Sequence, residues 1–383
     1  MDADRFDTLA HSVIATRLQR GPLHRIRTVA PMLALLTALL LAGPALSAVK
    51  IGTNGNDTLI GTAENDKITG NGGDDSLKGK AGNDTYFFAD IWGTDTLVEK
   101  AGEGIDTVDF HAVKTGPVSV HLVPSWVPVD PDFNAASGPN GEVGLAYQVN
   151  GAVVQSIVEN AIGGQGDGDA IEGGDGKNVL QPGGGAADAL LDVGGRDDGT
   201  GGFPDIPASN DVYKGFATNT GTDLIEDFGG NGDVLDLRPY ATGDVFATAI
   251  DLDGDATTFE SLQIVTGLTG QIIIFGQFGD VDEITDVNNL HGHIETIRFA
   301  DKTFGTTNSL QSATVASTEA LSGKQARLAE VAEGLAEEAR ALFDPNDPLG
   351  LLRISGDRRS PSGADTSGTE KQDRNGHHRK PKH

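Results

Sequence analysis

Four consecutive nine-residue units in unbroken register constrain this chain more than any other feature. They read GTNGNDTLI from Gly52, GTAENDKIT from Gly61, GNGGDDSLK from Gly70 and GKAGNDTYF from Gly79. The sixth place of every unit is an aspartate (Asp57, Asp66, Asp75, Asp84), and the eighth is large and apolar or aromatic (Leu59, Ile68, Leu77, Tyr86). The first half of each unit is rich in glycine and asparagine, which tolerate positive φ, so the backbone turns tightly there and directs its carbonyls inward. The second half reads as a three-residue strand. With one turn and one strand per unit, a full coil of a two-sided parallel solenoid takes two units. Residues 18 apart then fall at the same place in successive coils. Asp57 and Asp75 share one edge, and Asp66 and Asp84 share the other. A disordered Gly/Asn/Asp-rich linker has the same composition, but nothing in it would hold the aspartate and the apolar residue in phase.

Two carboxylates stacked at coil spacing repel unless a cation lies between them. Together with convergent carbonyls they form an all-oxygen cage, suited to a hard ion with many ligands, Ca2+ rather than Zn2+. Asp57, Asp66, Asp75 and Asp84, with turn carbonyls, are therefore the expected metal ligands. These units resemble the repeats-in-toxin (RTX) family of hemolysin-type calcium-binding nonapeptides, whose consensus G-G-x-G-x-D-x-U-x builds a parallel solenoid. The match covers 36 of 383 residues. The resemblance implies an all-β fold, a parallel β-roll stabilised by calcium, and Ca2+ as its ligand. Glu64 departs from the family pattern, because it fills the fourth place of the second unit, where glycine is usual. Its side chain is expected to strain that turn and weaken the Asp66 edge.

Charge supports the same reading. The formal net charge is −28, and residues 49–300 hold 41 acidic side chains against 11 basic ones. A body this acidic repels itself unless bound cations neutralise part of it, and it repels nucleic acid. The chain has no cysteine, which excludes disulfides, thiolate metal sites and cysteine nucleophiles. Fifty-three glycines and 5 % aromatic residues disfavour a tightly interlocked enzyme core, whereas 37 % hydrophobic content suffices for a narrow solenoid interior.

Residues 1–48 read as a signal peptide with a long leading region: Arg25 and Arg27 precede an apolar run over 32–48 that ends in Ala-Leu-Ser-Ala. The expected location is accordingly secreted, with a periplasmic or cell-surface fate as the variant. Residues 49–110 are assigned to the β-roll with capping strands, Asp95-Thr-Leu-Val98 and Ile105 to Phe110 among them. Residues 111–158 are assigned to a β-rich insertion. Residues 159–305 form a second, degenerate roll: GGQGDGDAI from Gly163, GGDGKNVLQ from Gly173 and GGGAADALL from Gly183. There Asp169 is displaced by one place, Asn178 stands where aspartate is expected and Asp188 keeps the pattern, so these three are the weaker metal candidates. This block, with Asn210 to Tyr213, Asp223 to Phe228 and Asp233 to Leu237, looks like the C-terminal β-roll region of serralysin-type proteases over about eighty residues. Residues 306–350 carry one amphipathic helix, with Leu321, Leu328, Val331, Leu335 and Leu342 at helical spacing and Pro345 as its stop. Its expected role is to lie against the β-body. Residues 351–383 form a polar, mildly basic tail expected to be disordered.

The likeness to a protease raises the question of an active site. Neither H-E-x-x-H nor G-x-S-x-G occurs in the chain, so zinc proteolysis and an α/β-hydrolase nucleophile are not supported. His291-Gly-His293 reads as a surface loop, and Asp251 to Asp255 as an acidic turn whose Gly254 is misplaced for an EF-hand. The expectation is a secreted, non-catalytic calcium-binding protein. A hydrolase or toxin-like effector carried by the roll, or a cell-surface adhesive or matrix component, is the alternative.

Overall fold

The computed structural model describes residues 46–122, 134–192 apart from 139, 145, 150–151 and 175, then 209–216, 221–227, 232–252, 261–277, 294–305 and 323–342. Most of the apolar run over 32–48, the His291/His293 pair, Asp253 to Asp255 and the 351–383 tail lie outside the described residues.

Strands form where the repeats place β-branched and apolar residues. The first four follow the aspartates or precede the first unit: β1 Val49–Ile51, β2 Thr58–Ile60, β3 Lys67–Thr69 and β4 Ser76–Lys78. β5 Thr85–Ala89, β6 Gly93–Leu97, β7 Thr107–Ala112 and β8 Ser119–His121 continue the winding. Then come β9 Asn134–Gly138, β10 Gly141–Gly144, β11 Ala146–Val149, β12 Ala152–Gln155, β13 Asn160–Ile162 and β14 Ala170–Glu172. β15 Val179–Gln181, β16 Ala189–Leu191, β17 Val212–Lys214, β18 Gly221–Glu226 and β19 Val234–Leu237 follow. The last are β20 Phe246–Ile250, β21 Ser261–Val265, β22 Gly270–Ile274, β23 Thr296–Phe299 and β24 Thr303–Gly305.

Successive strands alternate between two sheets, and that alternation makes the solenoid. One sheet has the order β1-β3-β5-β7-β13-β15-β17-β19-β23-β24 and the other β2-β4-β6-β10-β9-β8-β14-β16-β18-β22-β21-β20. The protein is an all-β parallel roll, with one α-helix among the described residues. Pairing is parallel at a shift of 18 residues through the nonapeptides, Lys67 beside Thr85 and Thr58 beside Ser76. The strands expected as caps, β6 and β7, extend both sheets. The segment set apart as an insertion supplies β8 and the β9–β10 hairpin to the second sheet, and β11 with β12 as a separate pair.

The interior is a stack of eighth-place residues. In the first sheet Lys50, Ile68, Tyr86, Val108, Ala161, Leu180, Tyr213, Leu235 and Ile297 lie in one register column. All but Lys50 are fully or almost fully buried. Among the described residues Lys50 ends this column with a charge, between Val49 and Ile51, each 68 % exposed. A lysine at a sheet end opposes stacking of a further copy. At the other end the antiparallel β20–β21–β22 and β23–β24 pairings close the roll.

The helix α1, Gly323–Leu342, lies against β18, β20, β21 and β22. It buries Leu328, Ala332, Leu335, Ala336 and Ala339 over an outer sheet face made apolar by Ala189, Leu224, Ile273 and Phe275. Two glutamines inside that contact donate to the helix backbone: Gln263 Nε2 to the Ala332 carbonyl (2.8 Å) and Gln271 Nε2 to that of Leu335 (2.5 Å).

Candidate metal centre

Each aspartate of the repeats stands immediately before a strand, so the turn delivers its carboxylate to the edge of the roll. One oxygen is used structurally. The Asp57 amide donates to Asp75 Oδ1 (2.7 Å) and the Asp75 amide to Asp95 Oδ1 (2.9 Å). On the opposite edge the Asp66 amide donates to Asp84 Oδ1 (2.7 Å), Asp84 to Asp106 Oδ1 (2.8 Å) and Asp106 to Glu159 Oε2 (2.7 Å). Every coil thus hands its amide to the carboxylate of the next.

The second oxygen has another surrounding. Oδ2 of Asp75, Asp84 and Asp95 is buried and accepts no hydrogen bond. In Asp75 and Asp84 it turns back toward the first-place glycine of its own unit, Gly70 and Gly79. A Cβ on Gly61 would overlap Asp66 Oδ2 and lie 2.6 Å from the Gly79 carbonyl oxygen, and a Cβ on Gly52 would meet Asp57 Oδ2 at 2.9 Å and the Gly70 carbonyl. At Gly52 and Gly61 a carboxylate oxygen and a carbonyl oxygen of the neighbouring coil thus pack so closely on the glycine that no side chain fits there. Among the described residues no three His, Cys, Asp or Glu side chains gather at one point. The donors this edge offers a cation would be carboxylate and carbonyl oxygens, a set that fits Ca2+ and not a thiolate- or imidazole-seeking metal.

Burial works against the negative charge of the inner aspartates. Burial pushes the carboxyls of Asp75 and Asp84 up, and raises Asp95 to about 7 and Asp106 to about 8. Asp57 is held low by the Thr53 amide and hydroxyl. At Asp66 burial pushes upward, but the amides of Ala48 and Thr62, the Thr62 hydroxyl and Lys50 outweigh it. The outermost coil thus carries ionised carboxylates satisfied by the protein itself, and the inner coils carry carboxylates that need a counter-charge.

The expected strain at Glu64 is absent. Gly73 and Gly82, at the same fourth place, have φ of +114°, whereas Glu64 is not in the left-handed region. The reason is position in the stack. A Cβ on Gly82 would run into the Glu64 backbone, and one on Gly73 into that of Gly55, so the left-handed turn nests each coil on its predecessor. The first coil has no described predecessor.

In the second block Gly168, at φ +84°, absorbs the extra residue, and Asp169 stands directly before β14 as Asp57 stands before β2. The amide of Val118 donates to Asp169 Oδ1 (2.7 Å) and that of Asp169 to Asp188 Oδ1 (2.9 Å). Burial raises Asp169 to about 8 and Asp188 to about 7. Asn178 occupies the other edge with both ends of its amide engaged: Nδ2 donates to the Glu159 carbonyl (2.6 Å), and Oδ1 accepts from the Gly174 amide (2.8 Å).

Both columns run farther than the repeats. Beyond Asn178 the hand-over continues to Asp211 (2.6 Å), Asp233 (2.6 Å) and Glu295 (2.7 Å), and beyond Asp188 to Asp223 (3.3 Å). Sequence reasoning placed several of these residues in strands without recognising them as members of the edge columns. The signal was present: Asp95-Thr-Leu, Asp106-Thr-Val, Asp211-Val-Tyr, Asp223-Leu-Ile and Asp233-Val-Leu all keep an acid two residues before a core residue.

Parallel register, an apolar interior and oxygen-lined edges define a parallel β-roll of the calcium-binding class. Residues 51–86 match the RTX calcium-binding nonapeptide repeat in four copies, and the roll they build is a calcium-binding one. Among solved structures the chain is similar to the extracellular lipase LipA from Serratia marcescens, with 20 % identity and a TM-score of 0.15. The alignment covers 63 % of this chain and 39 % of the lipase, so the chain spans well under two thirds of that protein. The fold rests on the strand register, not on this likeness. No curated protein matches the chain significantly.

Proposed function

We propose that this is a secreted, non-catalytic calcium-binding protein whose roll tightens when Ca2+ enters its edges. The observation that carries the reading is the column of edge carboxylates in which Oδ2 of Asp75, Asp84 and Asp95 is buried without a partner, in the coils next to those where the Gly70 and Gly79 carbonyls come up beside the Asp57 and Asp66 carboxylates. Asp57, Asp66, Asp75 and Asp84 are the proposed ligands, and Asp169 and Asp188 are added in the second block. Extracellular calcium modules bind at roughly 10⁻⁴ to 10⁻³ M, which suits a protein that meets its ion outside the cell. Among the described residues no helix is long and apolar enough to cross a membrane. Far-UV circular dichroism of the full chain in EDTA and then in millimolar Ca2+ tests the reading. A gain of β signal with calorimetric binding supports it, and an unchanged spectrum without binding heat overturns it.

A hydrolytic effector is the rival, and one arrangement bears on it. Ser119 Oγ lies 3.0 Å from His121 Nε2, and His121 Nδ1 lies 2.7 Å from Glu172 Oε2. Ser119 is only 6 % exposed, and β8 is paired on both sides, with β9 and with β14. Its amides are committed to those ladders and do not serve a developing oxyanion. We read the three side chains as a polar ladder on the outer sheet face. Turnover of an ester, peptide or glycan substrate that Ser119→Ala abolishes would overturn the non-catalytic reading. Cell fractionation separates a released protein from a surface-attached adhesive or matrix component.

A further inference from the structure

The repeat consensus has glycine at its second place, and none of the four units follows it. Thr53, Thr62, Asn71 and Lys80 stand there instead. Asn71 and Lys80 are held in the left-handed region, at φ +66° and +83°. Asparagine tolerates that conformation. A lysine there is uncommon, and it persists only where the surroundings hold it.

Both side chains reach back one coil. Asn71 Nδ2 donates to the Gly52 carbonyl (2.7 Å), and Lys80 Nζ donates to the Gly61 carbonyl (2.7 Å). The peptide that accepts on one side donates on the other. The amide of Thr53, joined to the Gly52 carbonyl, donates to Asp57 Oδ2 (2.6 Å), and the amide of Thr62, joined to the Gly61 carbonyl, donates to Asp66 Oδ2. Each edge thus carries the same relay: a side-chain N–H, a peptide group and a carboxylate. Hydrogen bonds in such a chain polarise one another, so a stronger donor at the carbonyl makes the N–H a stronger donor to the carboxylate. The threonine hydroxyls support both relays, Thr53 Oγ1 to Asp57 Oδ2 (2.8 Å) and Thr62 Oγ1 to Asp66 Oδ1 (3.0 Å). What differs between the edges is the outer donor, a neutral amide at residue 71 and an ammonium at residue 80.

We propose that Lys80 is a resident cation of the roll, a positioning residue that fixes the Asp66 carboxylate and locks its own coil to the preceding one through the Gly61–Thr62 peptide. The side chain explains why a lysine is kept in a left-handed turn: its charge is used one coil away. No bound metal is needed for this lock. It goes beyond the calcium reading and makes the two edges unequal, because the junction at Gly61 carries its own positive charge and the junction at Gly52 does not.

Melts of the full chain in EDTA at pH 6 test the lock. Lys80→Gln keeps a side-chain N–H and removes the charge, Lys80→Arg keeps the charge, and Lys78→Gln removes the same charge from β4 as the control for net charge. Losing the ionic part of one hydrogen bond should lower Tm by about 2–4 °C in Lys80→Gln, clearly more than in Lys78→Gln, with Lys80→Arg near the wild type. The loss should shrink in 1 M NaCl and largely vanish in an Asp66→Asn background, since the two residues act through one relay. A Lys80→Gln loss no larger than that of Lys78→Gln, or one unchanged by salt, overturns the proposal; so does an equal loss with Asp66→Asn present. Should the wild type be unfolded in EDTA, the same chains are compared by urea melts in millimolar Ca2+ under the same criteria. If the wild type takes up no Ca2+ at all, the calcium reading fails, while the EDTA comparison still decides the role of Lys80.

Discussion

Without calcium the roll should be an acid-stable fold, and the size of the effect follows from its edges. Burial raises Asp95, Glu99, Asp188 and Asp233 to about 7, and Asp106 and Asp169 to about 8. In the unfolded chain these groups ionise near 3.8 for Asp and 4.5 for Glu. Between about pH 4 and pH 8 the native state therefore holds protons that the unfolded chain has released, and stability must fall as pH rises. Each retained proton is worth about 1.4 kcal/mol per pH unit. Neighbouring carboxylates share protons, so two retained protons is a restrained count, which gives about 3 kcal/mol per unit. That is a large share of the roughly 5–15 kcal/mol that stabilises a domain. At about 2–4 °C per kcal/mol, Tm in metal-stripped buffer should drop about 6–12 °C per pH unit. Melts at pH 5, 6, 7 and 8, followed by far-UV circular dichroism and by fluorescence of the buried Trp92, measure this directly. In millimolar Ca2+ the ions replace the protons and the slope should flatten. A metal-free Tm that is level or rises across this range would refute the assignment of unneutralised carboxylates to the roll edges.

Gly61→Ala should cost about 1–3 kcal/mol and shift the Ca2+ titration to higher concentration, because its Cβ meets Asp66 and the Gly79 carbonyl; Gly243→Ala, into open space, is the neutral control in the same denaturant melts. Deleting residues 323–383 removes α1 and uncovers Leu224, Ile273 and Phe275, leaving the Gln263 and Gln271 amides without their helix carbonyls. A lower Tm and new binding of a hydrophobic dye are expected. Asp84→Asn with Asp106→Asn should raise the metal-free Tm above about pH 7, because two buried carboxylates that resist ionisation are neutralised, and should move the Ca2+ midpoint to higher concentration, because Asp84 is a proposed ligand. Circular dichroism against Ca2+ concentration reads the midpoint.

Much of this architecture was legible because two positions of the repeat repeat together. The phase of Asp57, Asp66, Asp75 and Asp84 against Leu59, Ile68, Leu77 and Tyr86 specified strand, turn, coil length and edge at once. Past Tyr86 the aspartates stay but the turns lengthen, so that Asp95 follows Asp75 by 20 residues and Asp106 follows Asp84 by 22. A fixed nine-residue frame loses them, although D-x-U itself persists. The β9–β10 hairpin was illegible for another reason. Its strands, NAASG and GEVG, carry little apolar alternation, and Gly138 and Gly141 are explained only by the Trp92 ring against which they lie. No local pattern encodes a glycine needed by a ring some fifty residues away.

The interior and the edge of the roll are not independent parts. Aspartate and core residue sit two places apart on the same short strand, so stacking Ile68 on Tyr86 on Val108 brings Asp66, Asp84 and Asp106 into one column. Burying each apolar side chain contributes about 1.5–3 kcal/mol, and each buried, uncompensated carboxylate opposes this, as the raised values of Asp95 and Asp106 show. In a coil with one of each, the rim works against the interior. Neither more apolar surface nor a better turn is needed to decide it; a charge at the edge suffices. Ca2+ supplies that charge from solution, a proton supplies it in acid, and Asn178 makes it unnecessary. The responsiveness of the fold to calcium therefore follows from how the repeat sets what it buries inside against what it crowds at the rim.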